Sequence, residues 1–362
     1  MIYIHIPFCH RKCTYCAFYS TPSLLRVEDY ADALLKEMKH RRGEQAHPVR
    51  TIYFGGGTPS LLPVRLLARM VEALRRGFDL TRLSEATIEC NPEDLTADYL
   101  HALADLHFFN RISLGVQSLD DATLRLIGRR HTARQAIEAI EMAYRMGFKN
   151  ISVDFIYGIG SVDKIQAIAP LSGLLNHVSA YALTVEPGTA LSVQIGQGRV
   201  ALPDEDEVVM QYHALRRWLL DEGFIQYEVS NFARPGYESQ HNSRYWNRTP
   251  YLGLGPGAHS LLSDGRRRWN YADLGRYIDN PLQAFGEETL TAADECNEWL
   301  MTALRTTAGI DLDHLPQQYR NQVWHKALRY VESGWLVHTG TRLIPSDEGL
   351  LHADGIAADL FV

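Results

Sequence analysis

Cysteine is scarce in this 362-residue chain, long apolar runs are missing, and basic residues do not outnumber acidic ones. The five cysteines are an odd number, whereas a secreted disulfide framework spreads an even set across a smaller chain. No stretch approaches the ~18 consecutive apolar residues of a membrane span, and residues 1–5 lack the regions of a secretory signal. Forty-three acidic against 36 basic residues disfavour a general nucleic-acid binder. We therefore expect a soluble cytoplasmic α/β protein.

Six short β-branched and aromatic runs recur through the first half of the chain. They are buried-strand candidates, at residues 3–6, 51–54, 87–89, 111–114, 151–155 and 178–181. Amphipathic helical patterns lie between them, at residues 29–42, 64–77, 97–106 and 132–146. This alternation predicts a parallel sheet with right-handed crossovers, either open or curled into a partial barrel. In such a sheet functional residues lie at the carboxyl ends of the strands.

The pattern changes after residue 205. Residues 206–222 read as one amphipathic helix, and residues 224–260 form an aromatic stretch rich in glycine and proline. Near the C-terminus short helices precede a hairpin at residues 334–338 and 342–345, which is typical of a winged helix. A small α+β cap packed on the sheet is the alternative, and the acidic charge favours it over DNA binding. We expect a core over residues 1–285 and a small C-terminal domain over residues 286–362.

Three of the cysteines form a cluster directly after the first predicted strand. Cys9, Cys13 and Cys16 can hold three irons of a [4Fe-4S] cluster and leave the fourth iron open. The alternative is a structural zinc site, which needs four ligands; His5 or His10 could complete one, but no second cysteine knuckle exists. Inert buried cysteines are a further alternative. The sequence therefore favours an iron–sulfur site.

The spacing Cys-x3-Cys-x2-Cys after strand one of a β/α array resembles the radical S-adenosylmethionine (SAM) superfamily. In that superfamily the open iron binds the amino and carboxylate groups of SAM. The resemblance implies that Tyr15 lies near the adenine of SAM. It also implies that the glycine strip at residues 55–57 lies beside the SAM amino group, since glycine permits close backbone approach. The fold implied is a partial (β/α)6 TIM-like barrel with a small C-terminal helical or winged-helix-like domain.

The resemblance narrows to the HemN/HemW group, whose motifs occur here in the same order. They include Tyr-Ile-His-Ile-Pro-Phe-Cys, Gly-Gly-Gly-Thr-Pro-Ser, Glu-Cys-Asn-Pro, Gly-Val-Gln-Ser and Arg-Arg-His. By resemblance the SAM contacts are Tyr3, Gly56, Gly57, Thr58, Glu89, Gln117, Arg129 and Asp154. Their chemistry fits, because carboxylates accept bonds from ammonium or ribose hydroxyl groups and arginine pairs with a carboxylate. Taken singly, Asp154 could instead cap a helix and Arg129 could be a surface base.

Within the group the sequence is more similar to the HemW haem chaperones than to the coproporphyrinogen III dehydrogenases. Phe18 occupies the position of the fourth cysteine of the dehydrogenases, and the chain starts eight residues before Cys9, without their preceding segment. The segment His241-Asn242-x-x-Tyr245-Trp246 matches a HemW motif associated with haem. His241 is our preferred haem ligand, since imidazole is a common axial ligand and aromatic rings can cover a porphyrin.

The resemblance therefore implies a haem carrier that binds a [4Fe-4S] cluster, SAM and haem and passes the haem to an acceptor protein. His259 is a second candidate ligand, and His241 could instead be a hydrogen-bonded loop histidine. Two rival functions are radical enzymes, one that decarboxylates coproporphyrinogen III and one that opens or alkylates the porphyrin. Radical chemistry would also need an electron donor. Two departures from the family pattern are Ala17, where an acidic residue is expected, and the loop at residues 158–163.

Overall fold

The computed structural model describes residues 1–45, 47–160 and 166–362. The strands are β1 (Ile2–Ile6), β2 (Thr51–Gly56), β3 (Glu85–Cys90), β4 (Arg111–Gln117), β5 (Ile151–Tyr157), β6 (His177–Ala182), β7 (Ile225–Gln226), β8 (Asn231–Ala233), β9 (Leu252–Leu254), β10 (His259–Leu261), β11 (Arg266–Asn270), β12 (Phe285–Thr289), β13 (Ile310–Asp311), β14 (Leu336–Thr339) and β15 (Arg342–Pro345). The α-helices are α1 (Val27–Arg41), α2 (Val64–Gly77), α3 (Ala97–Asp105), α4 (Asp121–Leu126), α5 (Ala133–Arg145), α6 (Ala190–Gly196), α7 (Glu205–Asp221), α8 (Gln240–Trp246), α9 (Leu274–Asp279), α10 (Ala292–Ala303), α11 (Gln317–Glu332), α12 (Asp347–Leu351) and α13 (Ala353–Leu360).

The predicted parallel sheet is present. Within the described residues the main sheet has nine strands in the order β7-β8-β6-β5-β4-β3-β2-β1-β9. Strands β1 to β6 run parallel, β9 pairs in parallel with the free edge of β1, and β8 pairs antiparallel with β6. The six predicted strands and the helices between them therefore correspond to elements of the structure.

Alternation along the strands separates an apolar outer face from a polar inner face. In β4, Ile112, Leu114 and Val116 are fully buried in the apolar core, whereas Ser113 and Gln117 line a cavity. The apolar face is covered by the crossover helices, for example α2, which buries Leu66, Leu67, Met70, Val71 and Leu74. Because polar residues of all the central strands meet on the inner face, the sheet encloses a polar lumen.

A buried ionic network fixes the segment after α8 onto the barrel. Glu37 and Arg41 of α1 are both fully buried and lie 2.9 Å apart. Glu37 also accepts hydrogen bonds from the Asn270 side chain at 2.8 Å and from the Tyr277 hydroxyl at 2.6 Å. Arg41 donates to the carbonyl oxygen of Gly253 in β9 at 2.8 Å. The network thus ties β9, β11 and α9 to the first helix.

The C-terminal residues form a second apolar core with helices and a small sheet. The core contains residues of α10, α11 and α13, and the sheet has the strand order β13-β15-β14. The predicted hairpin is the pair β14 and β15. Arg248, just after α8, pairs with Glu298 of α10 at 2.9 Å. The domain boundary at residue 285 stays a prediction. Among the described helices, none has the length and apolar character needed to cross a membrane.

Candidate cofactor site

A cavity of about 530 Å³ occupies the lumen of the sheet. The cysteine loop after β1 lines one end, and the starts of β4 and α8 line the other. Most of the predicted site residues line it, namely Cys9, Cys13, Cys16, Tyr15, Gly56, Gly57, Thr58, Glu89, Gln117, Arg129 and Asp154. Residues far apart in the chain therefore meet in one place, at the carboxyl ends of the parallel strands.

The cysteine loop is anchored by backbone and side-chain bonds. Cys9 N donates to the carbonyl oxygen of Thr21 at 3.0 Å, and the Thr58 hydroxyl donates to Cys9 Sγ at 3.5 Å. All three thiols are free and partly exposed, and burial raises the pKa of Cys16. In the part of the chain described, no three His, Cys, Asp or Glu side chains converge on a single-ion site. A four-iron cube, whose thiolates bind different irons, does not require such convergence.

The glycine strip lies against the backbone that precedes the cysteine loop. A Cβ atom on Gly57 would lie 2.5 Å from the carbonyl oxygen of Phe8, and Gly56 has a φ of +110°. Gly57 N donates to the carbonyl oxygen of Ile6 at 2.8 Å, so the two loops are held together. Any side chain here must displace backbone. The absence of side chains in the strip therefore lets it pack against the backbone that leads into the cysteine loop.

Two half-buried carboxylates face the lumen below the glycine strip. Glu89 accepts hydrogen bonds from the Tyr53 hydroxyl at 2.8 Å and from Gly56 N at 3.0 Å. Asp154 accepts a bond from the Ser113 hydroxyl at 3.3 Å. Burial raises the pKa of Glu89 to about 7 and that of Asp154 to about 6. A cationic ligand in the lumen would restore the charged form of both groups.

Arg129 holds a positive charge between the carboxylates and the cysteine loop. Its Nη2 donates to Asn91 Oδ1 at 2.6 Å and to the carbonyl oxygen of Gly115 at 2.7 Å, and its Nη1 lies 3.6 Å from Cys13 Sγ. Its buried Nε atom has no partner in the described residues. Gln117 beside it has a φ of +66°, which is costly for this residue type and typical of functional positions. The residues present thus fit an amino-acid ligand with an ammonium and a carboxylate group.

Tyr3 is the one predicted SAM contact that does not line the cavity. Its hydroxyl hydrogen-bonds to His5 Nδ1 at 3.0 Å, and its ring stacks on Tyr53 with centroids 6.2 Å apart. Because Tyr53 in turn binds Glu89, Tyr3 supports the cavity wall in this structure. A direct contact of Tyr3 with SAM stays a prediction.

His241, the predicted haem ligand, is buried at the opposite end of the barrel. Its Nδ1 lies 3.0 Å from the Thr51 hydroxyl, and its Nε2 lies 3.2 Å from the Tyr245 hydroxyl. Its backbone N–H donates to Glu85 at 2.9 Å. Thr51 and Glu85 are the first residues of β2 and β3, whereas the cysteines follow the end of β1. Both ring nitrogens are therefore occupied, and burial lowers the pKa of this histidine to about 3.

The rest of the haem-associated segment has donors without partners. Trp246 Nε1 and Arg244 Nε are buried and unbonded within the described residues. The second candidate ligand, His259, is exposed and stacks on Trp269 with ring centroids 6.4 Å apart. The segment therefore fits a polar or anionic ligand through its orphaned donors, and an iron ligand only if His241 gives up a bond.

The two departures from the family pattern lie at the rim of the cavity. Ala17 and Phe18 both line it, and Phe18 is 70% exposed. Gly158 N donates to Gln211 Oε1 at 2.9 Å, so the first part of the altered loop packs on α7. Residues 161–163 of that loop lie outside the described residues.

Several residues of the lumen were not predicted from the sequence. Tyr53, Asn91 and Arg111 line the cavity and bond to site residues or to its walls. The sequence did contain an indication for Arg111. Residues two apart share a face of a strand, and Arg111 lies an even number of positions before Gln117 in β4, so both belong to the same face.

Comparison with known proteins agrees with this geometry. The model of the radical SAM superfamily matches residues 3–168, and that of the HemN C-terminal domain matches residues 290–352. The solved coproporphyrinogen III oxidase (HemN) of Escherichia coli has the same fold, with a TM-score of 0.83 at 22% identity, covering 100% of this chain and 89% of that one. The protein is thus a radical SAM protein with a partial (β/α)6 barrel, as predicted.

The sequence relatives narrow the family further. The heme chaperone HemW of Lactococcus lactis is 34% identical over 325 residues, covering 88% of this chain and 84% of the relative. Radical S-adenosyl methionine domain-containing protein 1, mitochondrial, of Bos taurus is 38% identical over 341 residues, covering 89% of this chain and 76% of the relative. This chain belongs to the HemW family of radical SAM proteins.

Proposed function

We propose that this protein is a cytoplasmic haem chaperone. It binds a [4Fe-4S] cluster, SAM and haem, and it transfers the haem to an acceptor protein. The curated relatives named heme chaperone HemW support this assignment, since this chain aligns with most of their length. The acceptor is a protein whose haem site is empty.

Cys9, Cys13 and Cys16 would hold the cluster through their thiolates. Backbone carbonyl groups of the glycine strip would accept bonds from the SAM ammonium group, and Arg129 would take its carboxylate through the orphaned Nε. Asp154 and Glu89 would accept bonds from SAM hydroxyl or ammonium groups. A bound and reduced cluster supplies electrons to SAM in this superfamily, while the residues named here bind and orient the ligand.

The observation that carries the proposal is the distance between the two sites. The cysteine loop follows the end of β1, whereas α8 bonds to the first residues of β2 and β3. Five to six strand residues separate these levels, or about 17–20 Å at a rise of 3.3 Å per residue. An axial ligand on α8 would therefore hold the haem iron at the opposite end of the lumen from the cysteine loop, an arrangement that favours carriage of the haem over its turnover.

The test is anaerobic reconstitution with iron, sulfide, SAM and haem, followed by absorption spectra and product analysis. We expect about one haem per chain, recovered chemically intact after incubation with a reductant. Coproporphyrinogen III in the same mixture should keep its propionate groups. Decarboxylated product, or an opened or alkylated porphyrin, would make the protein an enzyme and overturn the proposal.

Transfer is tested separately by mixing the haem-loaded protein with apomyoglobin, which serves as a haem acceptor with a known absorption spectrum. A carrier should release its haem to the acceptor within the experiment, and the cluster absorbance should persist. Haem that is retained indefinitely in the presence of excess acceptor would contradict a role in transfer.

A further inference from the structure

Arg111, at the floor of the lumen, is buried without a carboxylate partner. It is 2% exposed and opens β4. Its Nη1 donates to Asn150 Oδ1 at 3.2 Å and to the carbonyl oxygen of Tyr237 at 3.1 Å. In the part of the chain that the structure describes, no Asp or Glu forms an ion pair with it, although arginine is seldom fully buried unless paired. Arg111 opposes the burial-driven rise in the pKa of Asp154 through space, but no described carboxylate contacts it, so its hydrogen-bonding edge is available to a ligand.

The unused part of the guanidinium faces the cavity. Arg111 lines the cavity, and its Nε and Nη2 atoms form no hydrogen bond with a described residue. The nearest carboxylate of the inner face, Asp154, is held by the Ser113 hydroxyl at 3.3 Å instead. The free edge of the guanidinium presents two parallel N–H donors, which is the geometry that binds both oxygens of a carboxylate.

Neutral polar side chains line the same cavity as this edge. Asn242, the second residue of the His-Asn-x-x-Tyr-Trp segment, lines the same end of the cavity, and its side-chain amide is unbonded among the described residues. His177 does not compete, because its ring nitrogens bond to the Ser152 and Tyr227 hydroxyls at 2.8 Å each. Burial lowers the pKa of His177 well below its usual range, so it remains neutral. The floor thus joins a buried cation to an amide of the haem-associated segment.

We propose that Arg111 and Asn242 form a binding site for a ligand carboxylate at the floor of the lumen. Two ligands carry this group: haem, through a propionate side chain, and a free small carboxylate. The alternative in which haem is the ligand rests on the proposed function, whereas the alternative in which a free small carboxylate is the ligand does not. The floor lies about 20 Å from the level of Gln117, and Asp154, which Ser113 bonds two residues along β4 from Arg111, lies between the two levels, so the site adjoins the predicted SAM contacts from below.

The experiment compares haem with haem dimethyl ester, in which both propionates are neutral, on the reconstituted full chain. Wild type should bind haem about ten- to a hundredfold more tightly than the ester, as expected for loss of a charge-assisted bond. Arg111→Gln should bind both equally. Arg134→Gln is the matched control, because Arg134 is 86% exposed and pairs only with Glu138 in the described residues.

A second titration uses sodium propionate and neutral propionamide, with thermal unfolding as the readout. Propionate alone should stabilise wild type, and Arg111→Gln should abolish the effect. If Arg111→Gln fails to fold, two more conservative variants test the carboxylate site. Arg111→Lys keeps the charge without the paired donors, and Asn242→Asp places a negative charge opposite the ligand; both should weaken carboxylate binding.

The outcomes separate the two proposals. Ester discrimination that depends on Arg111 supports the site with haem as its ligand. Stabilisation by propionate alone supports the site with a small carboxylate, and it does so even if haem fails to bind and the chaperone proposal falls. Folded variants that match wild type in both titrations would overturn the carboxylate site, whatever haem does.

Discussion

His241 Nδ1 lies 3.0 Å from the hydroxyl of Thr51, so the histidine of the haem-associated motif is bonded to the first residue of β2. Tyr245, one helical turn later, completes the pair of bonds to the imidazole. The motif thus builds a buried polar contact between α8 and the amino-terminal end of the barrel. Any role in haem binding must be compatible with this contact, which gives the first prediction.

Replacing His241 by alanine should affect both the haem spectrum and the stability of the protein. If His241 binds the iron, the Soret band of the haem complex shifts and haem dissociates faster. Thr51→Val removes one hydrogen bond from the same imidazole and serves as the control, since it leaves the ring in place. An unchanged Soret band in His241→Ala would make the histidine purely structural, with His259 the next residue to test.

The cluster prediction depends on three cysteines and not on the other two. Alanine at Cys9, Cys13 or Cys16 should abolish the oxygen-sensitive cluster, because two thiolates do not hold the cube. Alanine at Cys90 or Cys296, which are both buried and lie outside the cysteine loop, should leave iron and sulfide content unchanged. Iron and acid-labile sulfide analysis, with electron paramagnetic resonance of the reduced protein, measures both. Stoichiometric zinc without labile sulfide would contradict this assignment.

SAM binding should be blocked by a side chain on the glycine strip. Gly57→Val adds atoms where a Cβ alone would lie 2.5 Å from the carbonyl oxygen of Phe8, so the loop must move. Asp154→Ala should weaken SAM binding by about 1–3 kcal/mol through loss of a buried polar contact. Gly355→Ala is the control, since a Cβ there meets no atom within 4 Å. Equal SAM affinity in the wild type and all three variants, measured by equilibrium dialysis, would refute the predicted SAM site.

The half-buried carboxylates of the lumen make the stability of the ligand-free protein depend on pH. Burial raises the pKa of Glu89 from 4.5 to about 7, so between these values the folded protein binds a proton that the unfolded chain has released. The free energy of unfolding should therefore fall as pH rises from about 4.5 to 7, by about 1–3 kcal/mol. Glu89→Gln should flatten this dependence in urea titrations, whereas the exposed Glu138→Gln should not. A rise in stability over the same window would contradict the assignment.

The ionic network of α1 should be costly to break on one side only. Glu37→Ala leaves Arg41 buried with its charge less compensated, which typically costs about 3–5 kcal/mol. The exposed pair Arg134–Glu138 provides the comparison, since Glu138→Ala should change stability by about 0.5 kcal/mol or less. Chemical denaturation measures both. Equal effects of the two substitutions would show that the network is not what holds α9 and β11 in place.

The first half of the fold could be predicted because its signals are local. Each β-branched run became a strand, and α2 begins and ends at the predicted residues, since its apolar face repeats at helical spacing. The cysteine spacing and the glycine strip follow directly from the sequence as well. What holds them together, such as the bond from Thr58 to Cys9, depends on pairing between distant strands and is not visible in the pattern.

The second half of the fold could not be predicted from local sequence patterns. The stretch at residues 224–260 contains short strands and a seven-residue helix whose positions depend on contacts with β1, β2 and β6. Local periodicity does not specify such contacts. The burial of His241 and the lack of a carboxylate partner for Arg111 among the described residues are likewise properties of the assembled barrel. Histidine and arginine also occur on exposed surfaces, so the residue types alone do not indicate burial.

The pairing of β1 with β9 has a consequence for the order of events during synthesis. Ile2 pairs in register with Leu252, so 250 further residues must be synthesised before the outer edge of β1 is covered. Contacts of such long sequence separation form late, and an uncovered edge strand is prone to pairing with other chains. The cysteine loop is attached to that strand. The strand that leads into the cysteine loop therefore keeps an unpaired edge until β9 has been synthesised.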